Sequence, residues 1–401
     1  MLIENNTSPA TLFLIESTEN LQNVCHNLKS HTEIAVDLEG NSLHHYKESI
    51  SLIQISVLGI DYIIDPLKID DLSALFEILT DASIQKVMHG SDFDVMSLQR
   101  DFGVKINNLF DTQIAAYLIG EDGLSLAFLL EKYFAVELEK SLQKHDWSSR
   151  PLERHHLSYA RSDTNWLLAL KEILIKKLHS ESLFDASIEE SYMLSQKEFV
   201  DRKNEPTAYL RVKGSKKLSP EQKKRLFFLW AVREDIAEQR DLPPFKIFSD
   251  SHIISLCQLK DCETNMIAKI IGHRNAARYA NQIQDALAEG DQSSVDPPQY
   301  KRTTIPKIYG QDIVINQLKE WRSSKNGVNV RMSLLPTNQQ LKDISQIPLQ
   351  SIEDIQQNMR NWQFQMWGEE IWNKLQPSLE KINKRRSKQN SKKQRKLPSE
   401  D

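Results

Sequence analysis

A chain of 401 residues is long enough for two or three domains, and its 40% hydrophobic and 26% charged residues are the make-up of a globular protein. No run approaches the roughly 18 apolar residues of a membrane span, since the most apolar stretch, 51–67, is broken by Gln54, Asp61 and Asp65. The net charge of −4 is uneven: nine Lys or Arg and no acid lie between Lys381 and Lys396, so the body is acidic and the tail reads as a polyanion-binding arm or a solvated, disordered charge run.

The N-terminus has no basic segment ahead of its apolar residues, which argues against export. Cys25, Cys257 and Cys262 lack metal-ligand spacing and read as reduced thiols of a cytoplasmic protein. From there the chain alternates β-branched runs with helical patterns, as α/β domains do. IAVDLEG (34–40), SLIQISVL (51–58), DYIIDPL (61–67) and KVMHG (86–90) are predicted strands. Period-3.6 patterns predict helices over Leu72–Thr80, Phe93–Phe102, Thr112–Ile119, Leu124–Tyr133 and His155–Leu178. Strand signals then fade. Pro206 and Gly214 mark a linker at 206–217, and Ser219-Pro220 opens a long amphipathic helix as N-cap and first residue. A helical domain is expected over 218–291. A break at Gln292–Pro298 precedes a second one, 300–380, whose Trp- and Arg-rich helix suggests a diverged duplicate. A basic disordered tail, 381–401, ends the chain, and 1–205 form the first domain.

Three patterns carry chemistry. Asp37 and Glu39, at i and i+2 of a predicted strand, point to one face, and two like charges in a half-dry site need a compensating cation or donor. Asp94 follows the strand end Lys86–His89 and opens a helix. Tyr159 and Asp163, at i and i+4 of a predicted helix, project together. Four acids from three segments suit hard divalent cations, and two Mg²⁺ or Mn²⁺ ions would clamp the attacking and leaving oxygens of a phosphodiester displacement.

The ordered set Asp37-x-Glu39, His89-Gly-x-x-x-Asp94 and Tyr159-x-x-x-Asp163 resembles the exonuclease motifs of the DEDD superfamily, tyrosine subclass, and most closely those of ribonuclease D. Phe110-Asp111-Thr112-Gln113 and the stretch Lys140–Leu152 are similar to family-specific flanks. The segment after Leu218 resembles the helicase-and-ribonuclease-D C-terminal (HRDC) domain, and that after Ile313 its divergent second copy. The resemblance covers about residues 10–380. It implies an α/β ribonuclease-H-like domain followed by two small all-α domains, and a monomer. It also implies stepwise hydrolysis of RNA from the 3′ end to nucleoside 5′-monophosphates, in the maturation of transfer RNA precursors. Asp37, Glu39, Asp94 and Asp163 become ligands of two metal ions, and Tyr159 orients the attacking water. Lys140 and His89 are candidate substrate contacts, each with a structural role as its rival. Arg150 is a weaker candidate for phosphates, Asp111 reads as a helix cap, and Asp92 is the rival of Asp94. Trp230, Trp321, Trp362 and Trp367 read as core. A DNA exonuclease of the same superfamily, or a catalytically silent RNA-binding module, are the competing readings; a helicase is disfavoured because no G-x-x-x-x-G-K-[ST] loop is present.

Overall fold

The computed structural model describes residues 11–300, 307–325 and 330–394. An α/β unit comes first. Strands β1 (Thr11–Ile15), β2 (Glu33–Gly40), β3 (Ile50–Val57), β4 (Ile60–Ile64), β5 (Gln85–Met88) and β6 (Leu109–Asp111) form one sheet in the order β1-β4-β3-β2-β5-β6. β3 runs antiparallel to both neighbours and every other pair is parallel. Its β-branched run suits the sheet centre, and all eight of its residues are buried.

Alternation along β2 sorts its side chains. Ile34 and Val36 enter a core with α1 (Thr18–Leu28), α2 (Ser73–Thr80) and α3 (Asp92–Phe102). Ala35 enters the opposite core, with α4 (Thr112–Leu118), α5 (Leu126–Phe134) and a later helix, Leu167–Ser180. Asp37 and Glu39 therefore belong to the face of Ala35. On that face α6 (Arg154–Arg161) packs Tyr159 and Ala160 against Leu52 and Ile63. The helix expected over His155–Leu178 is broken: α6 ends at Arg161 and α7 spans Leu167–Ser180, with a turn between. β1, β6, α1 and α8 (Phe184–Ser195) were not anticipated. α8 closes the β6 edge, giving Leu194 to one core and Ala186 to the other.

Two helical units follow. α9 (Pro220–Gln239), α10 (Pro244–Ile247), α11 (Asp250–Cys257), α12 (Thr264–Ile271) and α13 (His273–Gln292) surround a core that includes Leu229, Ile236, Ile253 and Ile283. Ser219 caps α9 in a capping box with Gln222, and Pro220 occupies its first turn. The expected linker 206–217 is instead part of this unit: two 3₁₀ turns bury Tyr209 and Val212 in its core. α14 (Gln311–Lys325), α15 (Asn338–Ser345), α16 (Glu353–Gln356) and α17 (Asn361–Gln394) form the second core around Leu318, Trp321, Leu341 and Ile371. α17 corrects the expected disordered tail: the helix runs to Gln394, with Ile382 still packed in this core, and residues 395–401 of that segment lie outside the described residues. Trp321 and Trp362 are buried, and Trp230 and Trp367 are half-buried against the cores, as core tryptophans should be.

Candidate metal centre

The pairing of β2 with β5 ends at Ala35–Val87, so the carboxyl half of β2 projects into a crevice beyond β5. Crevices at the carboxyl ends of strands where the order turns are the usual ligand sites of α/β sheets. Three segments converge there. β2 brings Asp37 and Glu39, just before a register shift at Glu39/Gly40.

The second segment leaves β5 through His89-Gly90-Ser91 into α3. Gly90 has φ +65°, and a Cβ there would lie 3.0 Å from Gln113 Nε2, so only glycine fits without strain. Asp111 fixes this turn as well as its own. Its Oδ1 accepts from Gly90 N at 3.1 Å and Gln113 N at 2.8 Å, and its Oδ2 from Ser91 N at 2.8 Å. The cap read from Phe110-Asp-Thr-Gln thus holds two helix starts. Asp94 sits in the first turn of α3, where the helix dipole favours a carboxylate.

The third segment is α6 and the turn after it. Tyr159 is 8% exposed, its ring 5.8 Å from Trp147. Asp163 lies in the turn, not on the helix; Arg161 and Thr164 pin that turn to the sheet. Arg161 Nη2 contacts Asp61 Oδ2 at 2.8 Å, Ser56 Oγ donates to Asp61 Oδ1 at 2.6 Å, and Ser56 Oγ lies 2.7 Å from Thr164 Oγ1.

Carboxylate oxygens of Asp37, Glu39 and Asp163 lie within 4.8 Å of one another, the one such group among the described residues. Asp94 is outside this triangle, yet its charge bears on Asp37 and Glu39. Every acid is displaced toward its protonated form. Burial, then Asp94, Asp163 and Glu39, push Asp37 well above the usual carboxylate range. Burial, then Asp163 and Asp94, raise Glu39 to about 8; burial and then Asp111 raise Asp94 to about 7, and burial raises Asp163 to about 6. Tyr159 is raised too, by burial and then by Asp163, Glu39 and Asp37. Carboxylates crowded against their own repulsion in a crevice are a donor set that fits a hard divalent cation.

Other candidates separate. His89 is turned inward, its Nδ1 2.9 Å from Thr112 Oγ1, so it braces the strand end. Lys140 is exposed next to Glu139, whose charge reaches Tyr159. Asp92 is exposed and pairs with Lys197 away from the acids. Arg150 is committed to structure: its guanidinium holds the buried Asp65 through two contacts of 2.6 Å and donates to the Trp147 carbonyl at 2.7 Å.

Two features escaped the sequence reading. Phe93, 52% exposed, lines the crevice with Leu38, Glu39, Gly40 and Asp94. An aromatic next to an expected ligand at a helix start was the available signal. The second is a cavity of about 870 Å³ between the α/β unit and the first helical unit. Lys47, Arg202, Lys203, Phe199 and Trp230 are among its walls, and it shares Glu48, Ser49, Ile50 and Arg100 with the acidic crevice.

Residues 12–179 match the family model described as 3'-5' exonuclease, and residues 222–287 match that of the HRDC domain. The exosome complex exonuclease RRP6 of Saccharomyces cerevisiae is 31% identical over 295 residues, covering 68% of this chain; the chain spans only 40% of that relative's length. Ribonuclease D of Desulfotalea psychrophila is 28% identical over 339 residues, 83% of this chain and 90% of that protein. The crystal structure of Escherichia coli RNase D, at 22% identity, shares the fold over 92% of this chain and 99% of its own, with a TM-score of 0.64. Fold, acids and matches together define a 3′–5′ exonuclease domain joined to an HRDC domain. The chain's similarity to ribonuclease D of Desulfotalea psychrophila runs through both domains.

Proposed function

We propose that this chain is a 3′→5′ exoribonuclease that uses two divalent ions, Mg²⁺ or Mn²⁺, and releases nucleoside 5′-monophosphates from structured RNA, with transfer RNA precursors as its substrate class. The observation that carries the reading is the meeting of Asp37, Glu39 and Asp163 within 4.8 Å, inside the residues that match a 3'-5' exonuclease. In this reading those three and Asp94 hold the metals. The ions, when bound, supply Lewis acidity toward the phosphodiester and lower the pKa of water.

The chain's own residues do the rest. Burial and the surrounding acids keep the Tyr159 phenol protonated, so it donates a hydrogen bond and orients the attacking water instead of taking its proton. Phe93 offers an exposed ring at the crevice for a terminal base, since base–aromatic stacking tolerates any base. Lys140, exposed in the segment that resembles the family flank, is the candidate phosphate contact. The neighbouring cavity offers the upstream strand the cations Lys47, Arg202 and Lys203, set among the acids Glu48, Asp101, Asp201, Glu234 and Asp250 of the same walls. The names of the relatives favour RNA over DNA. Free cysteines accord with a cytoplasmic protein, and no described helix is long and apolar enough to cross a membrane. A monomer belongs to the same reading, to be checked by sedimentation.

The test is a comparison of three substrates with Mg²⁺: a 3′-extended transfer RNA precursor, an unstructured RNA of equal length, and the matching DNA. The proposal expects trimming of both RNAs, with the precursor favoured in kcat/KM. Equal or faster digestion of DNA makes the chain a DNA exonuclease, and binding without turnover makes it an RNA-binding module.

A further inference from the structure

Gln54 stands in the middle of β3, paired in register with Asp37 of β2 on one side and Ile63 of β4 on the other. Residues directly opposite across antiparallel strands project from the same face, with Cβ atoms about 4.5–5.5 Å apart. The Gln54 side chain therefore lies on the face that carries Asp37 and Glu39. It has no exposed surface, and neither Nε2 nor Oε1 has a hydrogen-bond partner in the chain. Leu52 and Ile63 are packed with Trp147 and Tyr159, Ser56 is already engaged by Asp61 and Thr164, and Trp147 Nε1 is a second buried polar atom of this cluster without a partner.

An unpaired amide in a dry site destabilises a fold, whereas Leu or Met would fill the same volume without that penalty. For the sheet alone glutamine is the wrong residue. Full burial also keeps it from touching a substrate. The carboxylate set directly opposite it across the two strands is that of Asp37, which has an oxygen to spare when the other is given to a cation.

We propose that Gln54 is a positioning residue for Asp37: with a divalent ion bound in the crevice, its Nε2–H donates to the Asp37 oxygen turned away from the ion and fixes the plane of the carboxylate. This rests on the reading of Asp37 as a metal ligand. Groups that hold a metal ligand in orientation are worth about 10–100-fold in metal affinity. Arg161, Ser56 and Thr164 anchor the Asp163 turn in a comparable way, and Gln54 is the counterpart on the β2 side.

The test uses the full chain and Gln54→Met, which conserves volume. Mn²⁺ affinity is measured by titration calorimetry without RNA, alongside the melting temperature of the metal-free proteins. Expected are an affinity about 10-fold weaker in the variant, a metal-free melting temperature equal to or above that of the native chain, and turnover that recovers as Mn²⁺ is raised. Unchanged Mn²⁺ affinity overturns the proposal and leaves the metal reading standing. A lower melting temperature with unchanged affinity overturns it in favour of a packing role. A native chain that binds no Mn²⁺ overturns the metal reading itself, and this inference with it. Should the variant not fold, the native chain labelled with ¹⁵N-glutamine decides: the Gln54 side-chain amide must shift and lose solvent exchange when Mg²⁺ is added, and an unmoved resonance overturns the assignment.

Discussion

At the scale of single residues the acids explain one another. Asp37, Glu39, Asp94 and Asp163 are all raised, so between the ordinary carboxylate range and about pH 8 these four groups hold more protons in the folded metal-free chain than in the unfolded one, while His89 and His156, both lowered, act the other way. The acids' contribution to stability falls as pH rises, because the slope follows the protons bound in the unfolded state minus those in the folded state. Metal-free protein should lose melting temperature from about pH 5 to pH 8, and saturating Mg²⁺ should remove the loss. Asp37→Asn should flatten the metal-free profile and lower turnover on the order of 10²–10³-fold. Calorimetric scans across that range check both points; a flat native profile contradicts the crowding. Tyr159→Phe loses only a hydroxyl and should reduce kcat by about 10²-fold with metal affinity intact. An unaltered kcat removes Tyr159 from the chemistry.

The acids were legible because strand alternation fixes the faces of Asp37 and Glu39 locally, and because Asp94 follows a strand end. Gln54 was not legible as a site residue. Within SLIQIS it reads as a polar interruption of a strand, and its meaning comes from a register with Asp37 that no local pattern contains.

Among the elements, the expected helix His155–Leu178 is the instructive failure. It holds no Gly or Pro, and its apolar period continues, yet α6 stops at Arg161 and α7 begins at Leu167. The stop comes from the sheet: Ser56, Asp61, Arg161 and Thr164 form a buried polar network that holds the turn carrying Asp163. Side chains 100 residues apart in sequence override the local propensity. Asp61 is 1% exposed and Arg161 is its cationic partner. Arg161→Met should cost about 3 kcal/mol, measured by urea denaturation, and should lower kcat by displacing Asp163. A loss of stability with kcat unchanged would detach the network from the site. Short strands β1 and β6 went unread for a related reason, since five and three residues carry too little pattern without their neighbours.

For the molecule as a whole, the loop between β2 and β3 links the acids to the first helical unit. It leaves after Gly40, one residue beyond Glu39, and Tyr46 packs against the helical core. His45 Nδ1 lies 2.6 Å from Asp241 Oδ2 and its Nε2 2.8 Å from Ser148 Oγ, while Tyr46 N donates to Asp241 Oδ1 at 3.1 Å. Asp241 has φ +47°, a conformation asparagine also tolerates, so Asp241→Asn removes the charge without disturbing the backbone. It should weaken the junction by about 1–2 kcal/mol and raise KM for structured RNA more than for a short single strand. Limited proteolysis of the segment 201–207 reports the loosening directly. Equal effects on both substrates would confine the junction to a structural role. Division into an α/β unit and helical units was legible in the fading of strand signals after residue 200. Absorption of 206–217 into a core was not, because the partners of Tyr209 arrive only with α9 and α13.

The central claim is that a carboxylate-bound divalent centre removes nucleotides singly from the 3′ end. It is tested most directly by digesting RNA labelled at its 5′ end with Mg²⁺ or with chelator, using the native chain and Asp163→Asn, and identifying the released product. The account predicts a ladder shortening by one nucleotide from the 3′ end and nucleoside 5′-monophosphates in solution, both abolished by chelator and by the substitution. Internal cuts, products bearing 3′-phosphates, or digestion that persists in chelator would contradict it.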